Sequence, residues 1–438
     1  MHLPRIRGAR RQPRDLVDSM ATAFTVVFVF FLLVMTGLKF WLATRQIHHV
    51  ARHAEAVPPQ FAERVSLQAH RKAAAYTIAR QRLAMLEAAV GVAVLVALTL
   101  LGGVQAIAEA ATAQLGGGLV GQVAIVAAVA VLLGGIDLPF AWYRQFRVEE
   151  RFGFNRMTPR LFVIDMVKSV LVAAALGLPL LALVLWLMNA AGHYWWLYAW
   201  VVWVGFNALV LVLYPTVIAP IFNKFEPLAD GDLAGRIAAL LDRTGFSSRG
   251  VFVMDGSRRS AHGNAYFTGL GRAKRIVFFD TLLQRLQPAE IEAVLAHELG
   301  HFKRRHIAKR LAFSFGASLL FLGALGWLAG QGWFYQGLGV TPALDGSHNG
   351  VALVLFMLVV PVFTFVAAPV ASRISRRHEF EADAFAVAHT RGEDLASALV
   401  KLYEDNASTL TPDPVHSAFY DSHPPAAIRI ARLRPAVA

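Results

Sequence analysis

Seven long apolar segments constrain the fold of this 438-residue chain more than any other feature. Each is long enough to cross the roughly 30 Å hydrocarbon core of a bilayer as a single helix. The segments cover residues 21–43, 84–104, 118–138, 163–188, 194–219, 311–330 and 350–372. The chain is 56% hydrophobic and only 16% charged, whereas soluble domains contain about 25% charged residues. The sequence therefore predicts a mainly α-helical, multi-pass membrane protein and excludes a soluble single domain.

The loops between these segments predict how the helices are oriented. Two loops are rich in lysine and arginine, at 45–82 and 140–161. Three others contain neither residue, at 105–117, 189–193 and 331–349. Because basic loops remain in the cytoplasm, we expect residues 220–310 and the C-terminal region to be cytoplasmic. Seven spans then require an external N terminus, which conflicts with its five arginines, Arg5, Arg7, Arg10, Arg11 and Arg14.

The net charge and the absence of cysteine limit the partners and the chemistry. The charge of +13 fits cytoplasmic loops that face anionic lipid, so we expect membrane lipid and no nucleic acid as a partner. Without cysteine, disulfides and thiolate metal sites are excluded, and any metal must be held by His, Asp or Glu. The same absence, in a composition rich in Arg, Ala, Gly and Leu, indicates a bacterial inner-membrane protein.

Polar segments divide the chain into four predicted regions. We expect a membrane domain with five spans over 1–219 and a cytoplasmic catalytic region over 220–310. Two further spans lie within 311–372, and a C-terminal region covers 373–438. The predicted architecture is thus a helical membrane bundle that carries a small α+β domain.

Short elements are predicted within the catalytic region. The spacing of apolar residues indicates a helix over 233–242 and strands at 251–254 and 275–279. Residues 256–272 between the strands are rich in Gly, Ser and Arg, so they are predicted to form a long hairpin or loop.

The sequence His-Glu-Leu-Gly-His at 297–301 is the strongest chemical signal. On a helix, His297 and His301 lie one turn apart on one face and can share a metal ion, while Glu298 can activate a water molecule. Pro288 suits the first turn of such a helix. The motif therefore predicts a catalytic zinc site.

A third ligand is expected from the acidic segment after the last span. Glu379 and Asp383 are four residues apart on one helix face, whereas Glu381 points nearly opposite. We therefore predict Glu379 as the third ligand and Asp383 as an acceptor that orients a histidine ligand. Glu381 is expected to be solvated and to pair with arginines. Three further histidines are also expected to be solvated or at an interface, namely His262, His306 and His378.

Several separate blocks resemble the type I CAAX prenyl proteases, which are integral-membrane zinc endopeptidases with a gluzincin-like HExxH and a downstream ExxxD. The blocks are YPTVIAPIFN at 214–223, SRRSAHGNAYFTG at 257–269, RIVFFDTLL at 275–283, AHELGHF at 296–302, EFEADAF at 379–385 and HPPAAIRI at 423–430. The resemblance implies seven long helices around an intramembrane chamber. It also implies one zinc ion held by His297, His301 and Glu379, with Glu298 as the base and Asp383 in support.

The resemblance extends to residues that contact the substrate. It implies that a substrate peptide adds as a strand beside an exposed edge formed by Asn264, Ala265, Tyr266 and Phe267. It also places His423 and Arg429 near the active site, where they stabilise an oxyanion or hold a substrate carboxylate.

The predicted function is zinc-dependent cleavage of peptide bonds in prenylated or other membrane-associated peptides and proteins. One alternative is a membrane quality-control metallopeptidase of the heat-shock type, although those relatives have fewer spans. A second alternative is a transporter in which the HELGH sequence forms a structural metal site. The joint presence of Glu298, Glu379 and Asp383 argues against the transporter.

Overall fold

The computed structural model describes residues 14–229, 231–268, 275–343 and 348–433. The end of the predicted 256–272 hairpin lies outside the described residues, and so do Arg5, Arg7, Arg10 and Arg11 of the basic N terminus.

Helices make up most of the described chain. Their bounds are α1 Arg14–Arg52, α2 Leu67–Leu98, α3 Gly103–Leu115, α4 Leu119–Tyr143, α5 Pro159–Ala190, α6 Trp195–Leu213, α7 Ala219–Phe222, α8 Asp232–Thr244, α9 Asp280–Arg285, α10 Pro288–Lys303, α11 His306–Leu328, α12 Gly332–Gln336, α13 Asn349–Thr364, α14 Ala368–His389, α15 Gly392–Asp405, α16 Pro414–Tyr420 and α17 Ala426–Leu433. The predicted helix over 233–242 is confirmed as α8.

Seven helical segments among the described residues are long and apolar enough to cross a membrane, as predicted. Several extend well beyond the apolar segments that predicted them. Helix α1 has 39 residues, about 58 Å at 1.5 Å per residue, and α2 begins at Leu67 rather than near residue 84. The apolar pattern reflects only the thickness of the bilayer, because helix ends that continue into water carry polar residues.

A small mixed sheet lies in the catalytic region. Its strands are β1 Phe225–Pro227, β2 Val251–Met254, β3 Ala265–Thr268 and β4 Arg275–Phe279, in the order β1-β2-β4-β3. The two predicted strands are confirmed as β2 and β4, but they are parallel neighbours, and the hairpin partner of β4 is β3. Within the described residues, no strand pairs with the outer side of β3, so β3 forms an edge of the sheet.

Two helices that carry the acidic and histidine motifs pack against each other. Helix α10 begins with Pro288 in its first turn, and the carboxylate of Glu290 accepts a hydrogen bond of 2.8 Å from the backbone N–H of Gln287. Gly300 lets α10 approach α14, since a Cβ at Gly300 would lie 2.9 Å from the Cα of Ala382. A 3₁₀ turn joins α13 to α14, so the last membrane span continues directly into the acidic helix.

The buried apolar residues form two large clusters. One fills the membrane bundle between α1, α4, α12 and α13. The other lies beneath the sheet and combines residues of α8, α10, α15 and α17. The second cluster therefore unites the 220–310 region with the C-terminal region, although two membrane spans separate them in sequence.

Candidate active site

Helices α10 and α14 bring three metal-ligand side chains together. The Nε2 atoms of His297 and His301 are 3.2 Å apart. The Oε1 atom of Glu379 lies 3.2 Å from Nε2 of His301, and its Oε2 atom lies 3.6 Å from Nε2 of His297. One donor atom from each side chain therefore lies within 4.8 Å of the other two. One turn of α10 and the close approach of α14 are sufficient to create this cluster.

Asp383 and Arg429 support the cluster from behind. Oδ1 of Asp383 lies 2.8 Å from Nδ1 of His297, the nitrogen that faces away from Glu379. Arg429 in α17 donates to both Asp383 oxygens, at 2.9 and 2.5 Å, and its Nη1 lies 3.5 Å from Oε2 of Glu379. Burial alone would lower the pKa of His297, but the nearby carboxylates of Asp383 and Glu379 raise it to about 9. The surroundings thus carry enough negative charge to favour a cation at the cluster.

The donor set fits zinc. Two imidazole nitrogens and one carboxylate are a common set at catalytic zinc sites and leave a coordination position open. Among the described residues, the buried Oε2 atom of Glu379 has no hydrogen-bond partner. Such an atom is costly to bury unless a ligand satisfies it, and a divalent cation at the cluster would do so.

Two family models cover nearly the whole chain. The model described as CAAX prenyl protease N-terminal, five membrane helices, matches residues 46–224, and the model for Peptidase family M48 matches residues 227–437. The chain belongs to the CAAX prenyl protease family. It is therefore an integral-membrane, zinc-dependent metalloendopeptidase, as predicted, and the peptidase prediction is confirmed over the transporter alternative.

Similar proteins support this membership over much of their length. The CAAX prenyl protease 1 homolog of Dictyostelium discoideum is 39% identical over 290 residues, which cover 66% of this chain and 67% of that protein. The CAAX prenyl protease 1 of Saccharomyces cerevisiae is 38% identical over 312 residues, which cover 68% of each chain. The crystal structure of S. mikatae Ste24p matches with a TM-score of 0.88 and 30% identity, covering 94% of this chain and 99% of that one.

The metal-ligand cluster of this peptidase opens into a cavity of about 650 Å³. Glu298 lines the cavity next to His297. Burial raises the pKa of the Glu298 carboxyl, because a low-dielectric environment disfavours its charged form. Glu298 therefore has both the position and the surroundings of a group that exchanges protons.

A second cavity of about 700 Å³ adjoins the first. Its walls come mainly from apolar residues of α1, α2 and α13, such as Met35, Val92 and Met357. Both cavities share four wall residues, Gln81, Ala84, His416 and Tyr420. The space beside the metal-ligand cluster thus continues between helices of the membrane bundle.

The residues at the start of edge strand β3 lie partly at the cavity and partly in the core of the sheet. Asn264 and Ala265 line the cavity, and the Asn264 side chain accepts a hydrogen bond of 2.8 Å from the backbone N–H of Ala265. Tyr266 instead donates its hydroxyl to the sulfur of Met254 at 3.8 Å, and Phe267 packs in the apolar cluster beneath the sheet. The structure therefore places only the start of the predicted substrate strand at the cavity.

The two C-terminal candidates occupy different environments. The His423 side chain is 62% exposed and lines the cavity, with Nε2 3.5 Å from Oε1 of Glu379. The Arg429 side chain is only 5% exposed and is engaged by Asp383. Of the two, His423 is the one with a side chain free to reach a bound peptide.

Of the three histidines expected to be solvated or at an interface, His306 is corrected by the structure, whereas His262 and His378 are partly exposed. His306 is buried and contacts His301, and His378 stacks on it. His262 is half-buried, with its ring 3.0 Å from the side chain of Asn406. Glu381 does pair with an arginine, Arg377, as predicted, but it also contacts His306. The spacing of residues could not reveal these contacts because each depends on a turn or on a distant helix.

Sequence reasoning also missed polar residues from the membrane helices. Gln46 of α1 and both Tyr76 and Gln81 of α2 line the cavity beside the metal-ligand cluster. They lie just outside the predicted apolar segments, in polar helix ends that the hydropathy pattern does not predict to be helical. Polar side chains that flank a span on the side of the catalytic region could have predicted these cavity-lining residues.

Proposed function

We propose that this peptidase cleaves prenylated or other membrane-associated peptides near the cytoplasmic face of the membrane. The observation that carries this proposal is the continuity of the two cavities: a peptide bond can lie at the metal-ligand cluster while an apolar chain extends between membrane helices. The proposed substrate class matches the names of the similar CAAX prenyl proteases. A lipidated substrate would reach the second cavity without leaving the apolar phase.

The proposed zinc ligands are His297, His301 and Glu379. Zinc bound there would act as a Lewis acid, which polarises a carbonyl group and makes a water molecule more acidic. Asp383 accepts a hydrogen bond from Nδ1–H of His297, which leaves the Nε2 lone pair of His297 directed at the ligand position. Arg429 holds Asp383 in place and balances its charge.

Glu298 is the proposed general base and acid. Its carboxylate takes a proton from the attacking water, and it returns that proton to the nitrogen of the leaving amine as the C–N bond breaks. The oxygen of the water and its remaining proton become part of the new carboxylic acid, which then ionises and passes that proton to the amine, so protons and bonds balance over the cycle. His423 is proposed to donate a hydrogen bond to the carbonyl oxygen as negative charge develops on it.

The substrate backbone is proposed to pair with the free edge of β3. Asn264 precedes this strand and Ala265 begins it, and both line the cavity. An edge strand can hydrogen-bond an extended peptide regardless of its side chains. Tyr266 and Phe267 would extend the pairing through their backbone atoms, while their side chains remain in the protein. Main-chain pairing would hold the substrate extended beside the metal-ligand cluster and Glu298.

We also propose that the catalytic region faces the cytoplasm of a bacterial inner membrane. The basic loops at 45–82 and 140–161 support this orientation, because the spans at 84–104, 118–138 and 163–188 that adjoin them have loops without basic residues at their other ends. The first span, with its basic N terminus, does not follow this pattern. Anionic lipid headgroups would contact these loops.

The decisive experiment uses the purified full-length protein, loaded with zinc in detergent, and a farnesylated C-terminal CaaX peptide. We expect cleavage by the wild type and a loss of about 10²–10⁴-fold in kcat for Glu298→Gln, with zinc content unchanged. The unprenylated peptide should be cleaved much less efficiently.

Two results would overturn the proposal. Wild-type turnover by Glu298→Gln would remove Glu298 from the mechanism. Degradation of an unmodified, denatured membrane protein without cleavage of the farnesylated peptide would assign quality control instead.

A further inference from the structure

His306 is held in an unusual place relative to the metal-ligand helix. Helix α10 ends at Lys303, and α11 begins at His306, the first residue of a membrane span. Between them, Arg305 adopts φ 57° and ψ 32°, the left-handed conformation that residues with a side chain rarely take. Such a backbone persists only where its surroundings enforce it. The turn places the His306 ring, only 4% exposed, against His301.

The two nitrogens of His306 have different partners. Nδ1 of His306 lies 3.1 Å from Nδ1 of His301, and Nε2 of His306 lies 3.1 Å from Oε2 of Glu381. The ring also stacks on His378, with centroids 4.0 Å apart and planes at 11°. His306 therefore bridges a proposed zinc ligand to a carboxylate on the opposite helix.

His306 is not itself placed as a ligand. The ligand cluster uses Nε2 of His297 and Nε2 of His301, both facing Glu379. His306 meets the other nitrogen of His301, on the far side of the ring. Its position matches the one that Asp383 occupies behind His297.

Only one arrangement of protons satisfies these contacts when His301 binds a metal. A metal at Nε2 of His301 requires the proton of His301 on Nδ1. That N–H must donate to Nδ1 of His306, which must therefore accept and carry no proton. His306 then carries its proton on Nε2 and donates it to Glu381, an acceptor-only group when ionised.

We propose that His306 and Glu381 form a positioning pair that fixes the tautomer and orientation of His301 for zinc. Glu381 selects the tautomer of His306, and His306 selects that of His301. The zinc site thus has two dissimilar supports: a charged one, Asp383 with Arg429, behind His297, and a neutral imidazole behind His301. Because His306 is the first residue of α11, this second support also ties the site to a membrane span. The proposal rests on the zinc site of the proposed function.

The test measures zinc affinity of the full-length protein by chelator competition, for wild type and four variants. We expect His306→Phe to weaken zinc binding about 10–100-fold, the usual cost of losing a partner behind a ligand. His306→Gln retains an amide oxygen and an N–H and should recover much of the affinity. Glu381→Ala should weaken binding less than His306→Phe does. His378→Phe is the matched control, since it keeps a stacked ring and should bind zinc like the wild type.

Three outcomes decide the matter. Wild-type zinc affinity in His306→Phe would overturn the pair, and so would an equal loss in His378→Phe, which would indicate a general disturbance of this part of the site. Recovery in His306→Gln but not in His306→Phe, with both variants monodisperse, would support it.

Peptidase assays at saturating zinc separate this inference from the proposed function. If the wild type binds zinc with the expected ranking of variants but does not cleave the farnesylated peptide, the pair stands and the substrate proposal fails. If the wild type cleaves the peptide and His306→Phe binds zinc normally, the reverse holds.

Discussion

Helix α10 of the peptidase region and helix α6 of the membrane bundle differ sharply in how much they bury. In α10, nine of 16 residues are buried, including both Glu290 and His297. In α6, only Trp195 and Ala199 are buried among 19 residues. Protein surrounds α10 on nearly every side, whereas lipid would cover most of α6. Side-chain geometry in the peptidase region is therefore fixed by protein contacts, and most of the surface of α6 is free of them.

This contrast predicts where substitutions should matter. A change in the peptidase region disturbs packed neighbours, paired charges and the zinc site together. A change on an outer face of the bundle replaces one apolar group in lipid by another. Substitutions in the two environments should therefore differ in the size of their effects, and the largest is expected at a buried ion pair of the peptidase region.

Replacing Arg429 with methionine should have the largest effect on stability. It removes the partner of Asp383 in a buried ion pair, and the uncompensated carboxylate costs about 3–5 kcal/mol. It also frees Asp383 to move away from His297, so zinc affinity should fall about 10–100-fold. Chemical denaturation and chelator competition measure the two effects.

The matched control for this change is Arg285→Met. Arg285 also pairs with a carboxylate, that of Asp405, but the Arg285 side chain is 63% exposed. Solvent screens such a pair, so we expect a loss of about 0–1 kcal/mol and no change in zinc affinity. Equal losses in the two variants would contradict the distinction between buried and exposed pairs.

Gly300→Ala should destabilise the contact between α10 and α14. The new Cβ would lie 2.9 Å from the Cα of Ala382 and 3.0 Å from the Cβ of Phe385, so the helices must separate. Overpacking of this kind costs about 1–3 kcal/mol. The displacement also moves Glu379 away from the two histidines, and zinc should dissociate faster. Unchanged stability together with an unchanged zinc dissociation rate would show that the helix pair is looser than the structure indicates.

The ligand cluster could be predicted because it depends on local periodicity. One helical turn relates His297 to His301, and another relates Glu379 to Asp383, so each pair shares a face in any helix. Their mutual contact required only that the two helices pack together. The number of membrane helices could be predicted for a similar reason, since bilayer thickness fixes the length of an apolar segment.

The remaining features depend on events that leave no periodic signal. The contact of His306 with His301 requires the left-handed turn at Arg305. An arginine at this position does not predict a left-handed backbone conformation. The cavity walls from α1 and α2 require helices that continue past their apolar segments. Alternation within each strand cannot specify that β2 pairs in parallel with β4 while β3 pairs with the other side of β4.

Glu290 offers a test of the peptidase region through pH. Its carboxylate accepts hydrogen bonds of 2.7 Å from both Lys401 and Ser397. Burial alone would raise the pKa of Glu290, but the hydrogen bonds from Lys401, the Gln287 backbone and Ser397 lower it below the ordinary value of 4.5. A lowered folded-state pKa stabilises the protein above that ordinary value, and the contribution is lost as pH falls through the lower one.

Glu290→Gln should therefore be less stable than the wild type at neutral pH, by about 1.5 kcal/mol. The difference should shrink as pH falls below 4.5, because the wild-type carboxylate then becomes protonated. Thermal unfolding of both proteins across this range measures the effect. A difference that is constant with pH would indicate a packing effect rather than a charge effect.

Gly135→Ala in α4 should have the smallest effect, and it completes the comparison with Gly300→Ala. Gly135 is an exposed helical residue of the bundle, and a Cβ there would meet nothing within 4 Å. Alanine restricts the unfolded chain without meeting a neighbour, so stability should stay unchanged or rise by at most about 1 kcal/mol. Zinc affinity and turnover should equal those of the wild type. The same substitution thus has opposite signs in the two regions, because protein packs against Gly300 and nothing in the described chain packs against Gly135. A loss of stability at Gly135 would mean that another protein surface covers this face of α4 in the membrane.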